Sequence, residues 1–460
     1  MQCSQQGTNP DAGGAEEDVP VVNDTAAGPT YPDNYARWTS FGDRDKWGPY
    51  NVHDPSCIAG EEWTYCFSTD VAYGGIDRVG LQVRRSKDLV DWEFVGWAFD
   101  GIPHEPKEYV TQANNGTEPG NIWAPYIMKA GDTYRLYYSV SVFGSSGSCI
   151  ALATSSSLGG DWEQQGIVLK STPGDTINAI DPSVIVDRQT GEHWMAYGSW
   201  FSGLYMTQLD PATGKPEHQR AFGEAIARRA GDGLEAPEVI YNDSTGKYYL
   251  FVSYGSLDDE YNVRVGRSDR PEGPYLDMFG TDMAQRSDNF PVLLTPYGFN
   301  SHPGWQGTGH TGVFEKDGSW FMINQGRLAS DPAMMVMHLR ELTWTEDGWP
   351  AAYPQRYADI EQHTITADSV VGRWEEIVID PTGGGDEQNL SFYVDYLEGG
   401  GIEGENRKWE LSGDRLQLSG PDGTLKLHLK YGWDWESDTT ALIYTGLNQQ
   451  GESVWGKKVD

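Results

Sequence analysis

HDPSCIAGEEWTYCFST (53–69), WAPYIMKAGDTYRLYYS (123–139), IDPSVIVDRQTGEHWMAYGS (180–199), EAPEVIYNDSTGKYYLFVSYG (235–255) and GHTGVFEKDGSWFMINQG (309–326) share one pattern. Each has a short opening, an apolar strand, a polar turn with Gly or Asp, and an aromatic strand. The openings follow one another at 70, 57, 55 and 74 residues. Alternation of apolar and polar side chains on both sides of such a turn predicts a β-hairpin. Second hairpins are written into VGLQVRRSKDLVDWEFVGWAF (79–99), CIALATSSSLGGDWEQQGIVL (149–169) and YNVRVGRSDRPEGPYLD (261–277). Two hairpins per repeat make a four-stranded antiparallel sheet. Five such sheets predict an all-β fold, a five-bladed β-propeller over residues 37–365. No helical period is sustained over a dozen residues.

The pattern changes after residue 365. SVVGRWEEIVID (369–380), LSFYVDYLE (390–398), RKWELSGDRLQLSG (407–420), GTLKLHLKYG (423–432) and TTALIYTGL (439–447) are alternating strands between Gly- and Asp-rich turns. They predict a small β-barrel or sandwich over 366–460. Its two readings are a structural cap on the ring and a carbohydrate-contacting module using Trp409, Trp433 and Trp435.

Composition narrows the function. Of 460 residues, 33 are Lys or Arg and 68 are Asp or Glu, a net charge of −35. Nucleic-acid binding through phosphate neutralisation needs a basic footprint, and anionic membranes repel so acidic a surface. No apolar run is long enough to span a bilayer. The 18 Trp, 25 Tyr and 14 Phe suit stacking surfaces as well as core. Cys57 and Cys66 flank the turn AGEEW symmetrically and are expected to face each other, as a cross-strand disulfide or as two buried thiols. Residues 1–36 are polar and acidic, a tether unable to pack a core. Cys3 within it is either the former acylation site of a bacterial lipoprotein or part of an ordinary disordered terminus. The expected location is extracellular or on the bacterial cell surface, and the chain is expected to be a monomer.

Innermost strands of a propeller begin beside its axis, so their opening residues converge. Asp54, Asp181, Glu235 and His310 stand at four of the five openings. Asp54 and Asp181 occupy one repeat position, each followed by Pro-Ser, and Glu235 lies one position earlier in its repeat. A lone Asp before Pro is ordinarily a turn residue. Three acids at the openings of separate blades instead suggest carboxyls brought together, one of them kept protonated by its neighbours. Glu238, three residues beyond Glu235, reads as a solvated strand residue.

The set VHDPS (52–56), NIWAP (121–125), NAIDPS (178–183), LEAPE (234–238) and GTGH (307–310) resembles glycoside hydrolase family 43, five-bladed propellers that cleave plant polysaccharides with inversion. SVSVFGSSGSCIALATS (139–155), NAIDPSV (178–184) and YGSWFSGL (197–204) are similar to its α-1,5-L-arabinanases. The C-terminal module resembles that of their two-domain subgroup. The resemblance implies endo-hydrolysis of arabinan, with Asp54 as general base, Glu235 as general acid and Asp181 raising and orienting that acid. It also implies a metal, commonly calcium, held largely through water at His310. Sugar contacts are expected from Asn178, Ser199 and the backbone near Gly144, with Trp123 as a stacking platform and His53, Trp200 and Phe201 as further candidates. An exo-acting arabinofuranosidase or xylosidase on the same fold, and a sugar-binding propeller without catalysis, are the alternatives.

Overall fold

The computed structural model describes residues 28–29, 44–231, 233–381, 388–421 and 423–459. Cys3 and almost all of the expected tether lie outside the described residues. Each of the five repeats folds into one antiparallel sheet. The first blade runs Ser56–Ala59, Thr64–Ser68, Gln82–Ser86 and Trp92–Trp97 in spatial order. The second runs from Trp123–Ala130 to Glu163–Lys170, the third from Ser183–Val186 to Glu224–Ala227, and the fourth from Leu234–Asn242 to Val292–Leu294. The fifth contains Gly312–Lys316, Ser319–Leu328, Asp331–Trp344 and Pro350–Ala352. The innermost strands of neighbouring blades touch all the way round, the first meeting the fifth.

Alternation along these strands leaves one side chain in two on each blade face, and the faces of adjacent blades bury one another. Phe67, Val83, Leu136 and Ala151 fill the seam between blades one and two. Met128, Ile150, Val184 and Tyr197 fill the next, and Leu204, Met206, Val239 and Leu250 the one after. Phe314, Phe321 and Leu339 of blade five pack on Cys57, Cys66 and Trp92 of blade one. A latch strengthens this closing seam. The Asn51 N–H donates to the Met335 carbonyl at 2.8 Å and the Met337 N–H to the Pro49 carbonyl at 2.7 Å, so residues 49–51 pair with blade five. Buried Arg84 of blade one grips the latch through the Gly48 and Tyr50 carbonyls at 2.8 and 2.6 Å.

Cys57 and Cys66 are directly opposed across the first hairpin, as expected, and are buried free thiols. A helix of ten residues departs from the all-strand expectation, His104–Ala113, inserted between blades one and two, and a single helical turn, Ala367–Val370, opens the C-terminal module. Even the longer of the two is too short for its period to stand out from the sequence. Among the described residues no helix is long and apolar enough to cross a membrane.

The C-terminal strands form one seven-stranded antiparallel sheet from Phe392–Tyr396 to Lys408–Ser412. Its two edge strands are joined through residues 401 and 402, which bridge to Lys408 and Tyr396, so the sheet curls towards closure. Trp409, Trp433 and Trp435 are all buried here, which corrects the carbohydrate-contacting reading of these three. The indole N–H groups of Trp409 and Trp435 donate to the Leu397 and Arg356 carbonyls, as expected of buried tryptophans. The module shares a core with the propeller. Trp455, Ile377 and Ile379 pack with Val292, Tyr297 and Trp305, and the Val292 N–H donates to the Gly451 carbonyl at 2.7 Å.

Candidate active site

The opening residue of every blade has a left-handed backbone: Asp54 (φ 51°), Ala124 (37°), Asp181 (56°), Ala236 (56°) and His310 (52°). Non-glycine residues adopt this region at a cost, so the surroundings must impose it. They do so by one repeated device. The opening N–H donates to a side-chain oxygen supplied by the preceding blade: Asp54 to Gln325 Oε1 (3.2 Å), Ala124 to Thr69 Oγ1 (2.8 Å), Asp181 to Ser139 Oγ (3.0 Å), Ala236 to Asp181 Oδ2 (3.2 Å) and His310 to Ser253 Oγ (2.8 Å). The five openings are thereby stitched into a ring around the axis. It also settles the offset of Glu235. Ala236, not Glu235, holds the repeat position of Asp54 and Asp181, and Glu235 reaches the same cleft from one residue earlier.

A cavity of about 960 Å³ opens over this ring. Asp54, Asp181, Glu235, His310, His53, Trp123, Gly144, Asn178, Ser199 and Trp200 all line it, as does Phe201. The three acids are each less than one-tenth exposed. Asp54 Oδ1 lies 2.7 Å from His53 Nδ1 and 2.9 Å from His310 Nδ1, while Oδ2 accepts the Thr69 hydroxyl at 2.6 Å. Burial alone would raise this carboxyl, but the two imidazoles hold it well below the usual range, so Asp54 is ionised. His310 responds in the opposite sense. Desolvation opposes its charge, yet Asp54, Asp181 and Glu235 push it up to about 9.

The other two acids are biased towards the protonated form. Burial, with Glu235 and Asp54 as like-charged neighbours, pushes Asp181 up to about 8. Burial also raises Glu235, although Ser199 Oγ donates to its Oε2 at 2.7 Å. The cleft therefore offers an ionised carboxylate, Asp54, together with a carboxyl pair, Asp181 and Glu235, that retains a proton near neutrality. This is the division needed to activate water and protonate a leaving oxygen.

Neutral polar and aromatic groups complete the walls. Asn178 is buried, and its Oδ1 has no hydrogen-bond partner among the described residues. Trp123 Nε1 donates to Asn121 Oδ1 at 2.6 Å, which fixes the ring at the rim. The loop carrying Phe143 and Gly144 is braced by the unforeseen helix. Asn114 at its C-terminal cap accepts from Ser145 Oγ at 2.6 Å and donates to the Gly147 carbonyl at 2.7 Å. Phe143, Phe201 and Trp200 are 83%, 55% and 40% exposed, apolar faces turned outward at the cleft mouth.

Glu238 corrects the solvated reading. It is buried and occupies the repeat position of Ser56 and Ser183, beneath the opening ring. Its Oε1 accepts the Val313 N–H at 3.4 Å, as Ser183 Oγ accepts Val239 at 3.0 Å and Ser56 Oγ accepts Ile127 at 3.2 Å. Burial pushes its carboxyl up to about 8. Sequence reasoning also missed Thr69 and Arg327. Thr69 directly follows the second strand of its hairpin, and Ser139 and Ser253 stand next to the last residue of theirs, a polar position repeated in the quoted segments. Arg327 has no counterpart in the other repeats.

Among the described residues no group of three or more His, Cys, Asp or Glu is arranged to hold a metal ion. His310 turns Nδ1 to Asp54, so Nε2 is the ring nitrogen left to face an outside ligand, and it can ligate an ion only after losing the proton that the three acids favour on this ring. One imidazole nitrogen is not a cage of protein ligands, so an ion bound here would take most of its ligands from water.

Residues 48–350 match Glycosyl hydrolases family 43, and residues 354–456 match a C-terminal lipocalin-like domain of that family. The chain belongs to glycosyl hydrolase family 43. It is a glycoside hydrolase of an inverting family, on the family's five-bladed propeller. An extracellular endo-alpha-(1->5)-L-arabinanase of Thermotoga petrophila is 29% identical over 89% of this chain and 94% of its own length. The crystal structure of endo-1,5-alpha-L-arabinanase from Thermotoga petrophila superposes with a TM-score of 0.77, at 28% identity, over 89% of this chain and 99% of that one. The extracellular exo-alpha-(1->5)-L-arabinofuranosidase ArbA of Cellvibrio japonicus, another family 43 relative, is 31% identical over 65% of this chain and 86% of its own length.

Proposed function

We propose that this family 43 hydrolase cleaves internal α-1,5-L-arabinofuranosidic bonds of arabinan outside the cell. The observation that carries the reading is one ionised carboxylate and a carboxyl pair biased towards keeping a proton, converging at the floor of a cleft with aromatic walls. Asp54 takes a proton from water as that water attacks the anomeric carbon, and Glu235 gives a proton to the departing sugar oxygen. Asp181 anchors the strand of Glu235 through the Ala236 N–H and disfavours a second negative charge beside it. Attack from the face opposite the leaving group inverts the anomeric configuration. Asn178 Oδ1 and the Ser199 hydroxyl meet sugar hydroxyls, while Trp123 and Trp200 offer ring faces to furanose carbons. His53 and the Gly144 backbone border the same subsite.

Endo action is supported by the relatives of full length. Those named endo-arabinanases in Thermotoga petrophila and Bacillus subtilis each align over 89% of this chain, C-terminal module included. Calcium is the proposed ion; it would be held largely through water, with His310 Nε2 as the protein atom that would meet it once the ring's second proton is displaced. Bound there, it supplies positive charge beside the three acids. Early product analysis on debranched linear arabinan tests the function: a spread of oligosaccharides is expected. Arabinose or one short oligomer alone would replace endo with exo action, and no product would overturn the arabinanase reading.

A further inference from the structure

We propose that Arg327 is a positioning residue that sets the tautomer of His53, placing its single imidazole proton on Nδ1, against the carboxylate of Asp54. The guanidinium Nη2 of Arg327 lies 3.1 Å from His53 Nε2. Arginine donates and never accepts, so Nε2 at this distance is the lone-pair nitrogen. The neutral ring then carries its proton on Nδ1. Among the described residues, the acceptor near Nδ1 is Asp54 Oδ1, at 2.7 Å and off the N–H axis. A guanidinium on one side and a carboxylate on the other thus fix the proton between them.

Arg327 is itself held in place, which separates a designed contact from a chance one. Its Nε donates to the Leu257 carbonyl at 3.1 Å and its Nη1 to the Pro332 carbonyl at 2.9 Å. The alkyl stem passes over Gly307, where a Cβ would come within 2.7 Å of Arg327 Cδ. The side chain therefore ties a blade-four loop and a blade-five hairpin to the opening of blade one. Without it, Nε2 is free to take a proton, and the ring either adopts the opposite tautomer or becomes an imidazolium beside Asp54. Either change reorganises the lone pairs that Asp54 presents to water. This catalytic consequence rests on Asp54 as the base; the tautomer does not.

The test is NMR of the full chain with 15N-labelled histidine near neutral pH, the His53 signals being assigned by their loss in His53→Gln. The wild type is expected to show His53 protonated at Nδ1, with a hydrogen-bonded, unprotonated Nε2. Arg327→Met is expected to move the ring to the Nε2-protonated or doubly protonated state, and Arg327→Lys, which keeps a donor, to restore the wild-type pattern at least in part. Arg327→Met is also expected to lower kcat by roughly 10- to 100-fold. A wild-type His53 protonated at Nε2 would overturn the proposal whatever the variants do. So would an unchanged tautomer in a folded Arg327→Met protein. Full activity of Asp54→Asn would instead remove the base assignment and leave the tautomer result standing.

Discussion

Asp181 Oδ2 accepts the backbone N–H of Ala236 at 3.2 Å, across the seam between blades three and four. A catalytic candidate in one blade thus stands where the other seams use Gln325, Thr69, Ser139 and Ser253. The carboxylate positions the strand that carries Glu235 and is a charged neighbour of that acid in the same buried space. Structural stitch and chemical role coincide in one group.

Removing the proposed proton carriers separates chemistry from fold. Asp54→Asn and Glu235→Gln are each expected to lower kcat on linear arabinan by roughly 10²- to 10⁴-fold. Circular dichroism and Tm should remain close to wild type, because both replacements keep shape and hydrogen-bonding atoms.

The pH profile should fail first on its alkaline side. Asp54 is held well below the usual carboxylate range, so it stays ionised through mildly acidic conditions, whereas the Asp181–Glu235 pair loses its proton as pH rises through about 8. Initial rates across pH 4 to 10 should therefore fall towards the alkaline end while persisting into mild acid. A profile still rising at pH 9 would contradict this arrangement.

Ser139 has no acid–base role, yet its hydroxyl accepts the Asp181 N–H from within a fully buried site. Ser139→Ala leaves that donor unsatisfied and is expected to cost about 1–3 kcal/mol by denaturant titration. Loss of kcat should accompany the destabilisation, since the displaced backbone carries Asp181.

Glu238 gives a stability signature with a definite sign. Its folded pKa of about 8 stands above the ordinary 4.5, so the folded state keeps a proton that the unfolded chain releases. Wild-type stability is therefore expected to fall relative to Glu238→Gln as pH rises from 5 to 8. Thermal melts at the two ends of that window should show the variant gaining roughly a few degrees over wild type at the higher pH.

Trp455 tests whether the module and the propeller unfold together. Its ring lies 5.2 Å from Tyr297, edge to face, inside the shared core. Trp455→Ala is expected to cost about 3–5 kcal/mol. Calorimetry should then resolve two transitions where the wild type shows one.

The fold was legible because propeller blades repeat: five hairpins at similar spacing and a second hairpin in several repeats leave few other architectures. The convergence of Asp54, Asp181 and His310 followed from equivalent positions in those repeats. Glu238, a lone Glu three residues beyond Glu235, reads as solvated when taken by itself. Placed against Ser56 and Ser183, it falls where blades one and three bury a hydroxyl. The helix His104–Ala113 lies between repeats and Arg327, within blade five, has no counterpart in the other blades, so periodicity could not announce them. The burial of Trp409, Trp433 and Trp435 depends on how a barrel curls and docks, and tryptophan content alone does not distinguish a platform from a core.

The latch of residues 49–51 on blade five bears on how the protein comes into being. During synthesis the first blade emerges while its partner in the closing seam does not yet exist. Until residues 335–337 leave the ribosome, that seam stays open, with Cys57, Cys66 and Trp92 lacking the blade-five side chains that cover them. Ring closure is thus a late event of high contact order. The opening of blade one, where Asp54 waits for the N–H acceptor supplied by Gln325, is completed by the last blade to be made.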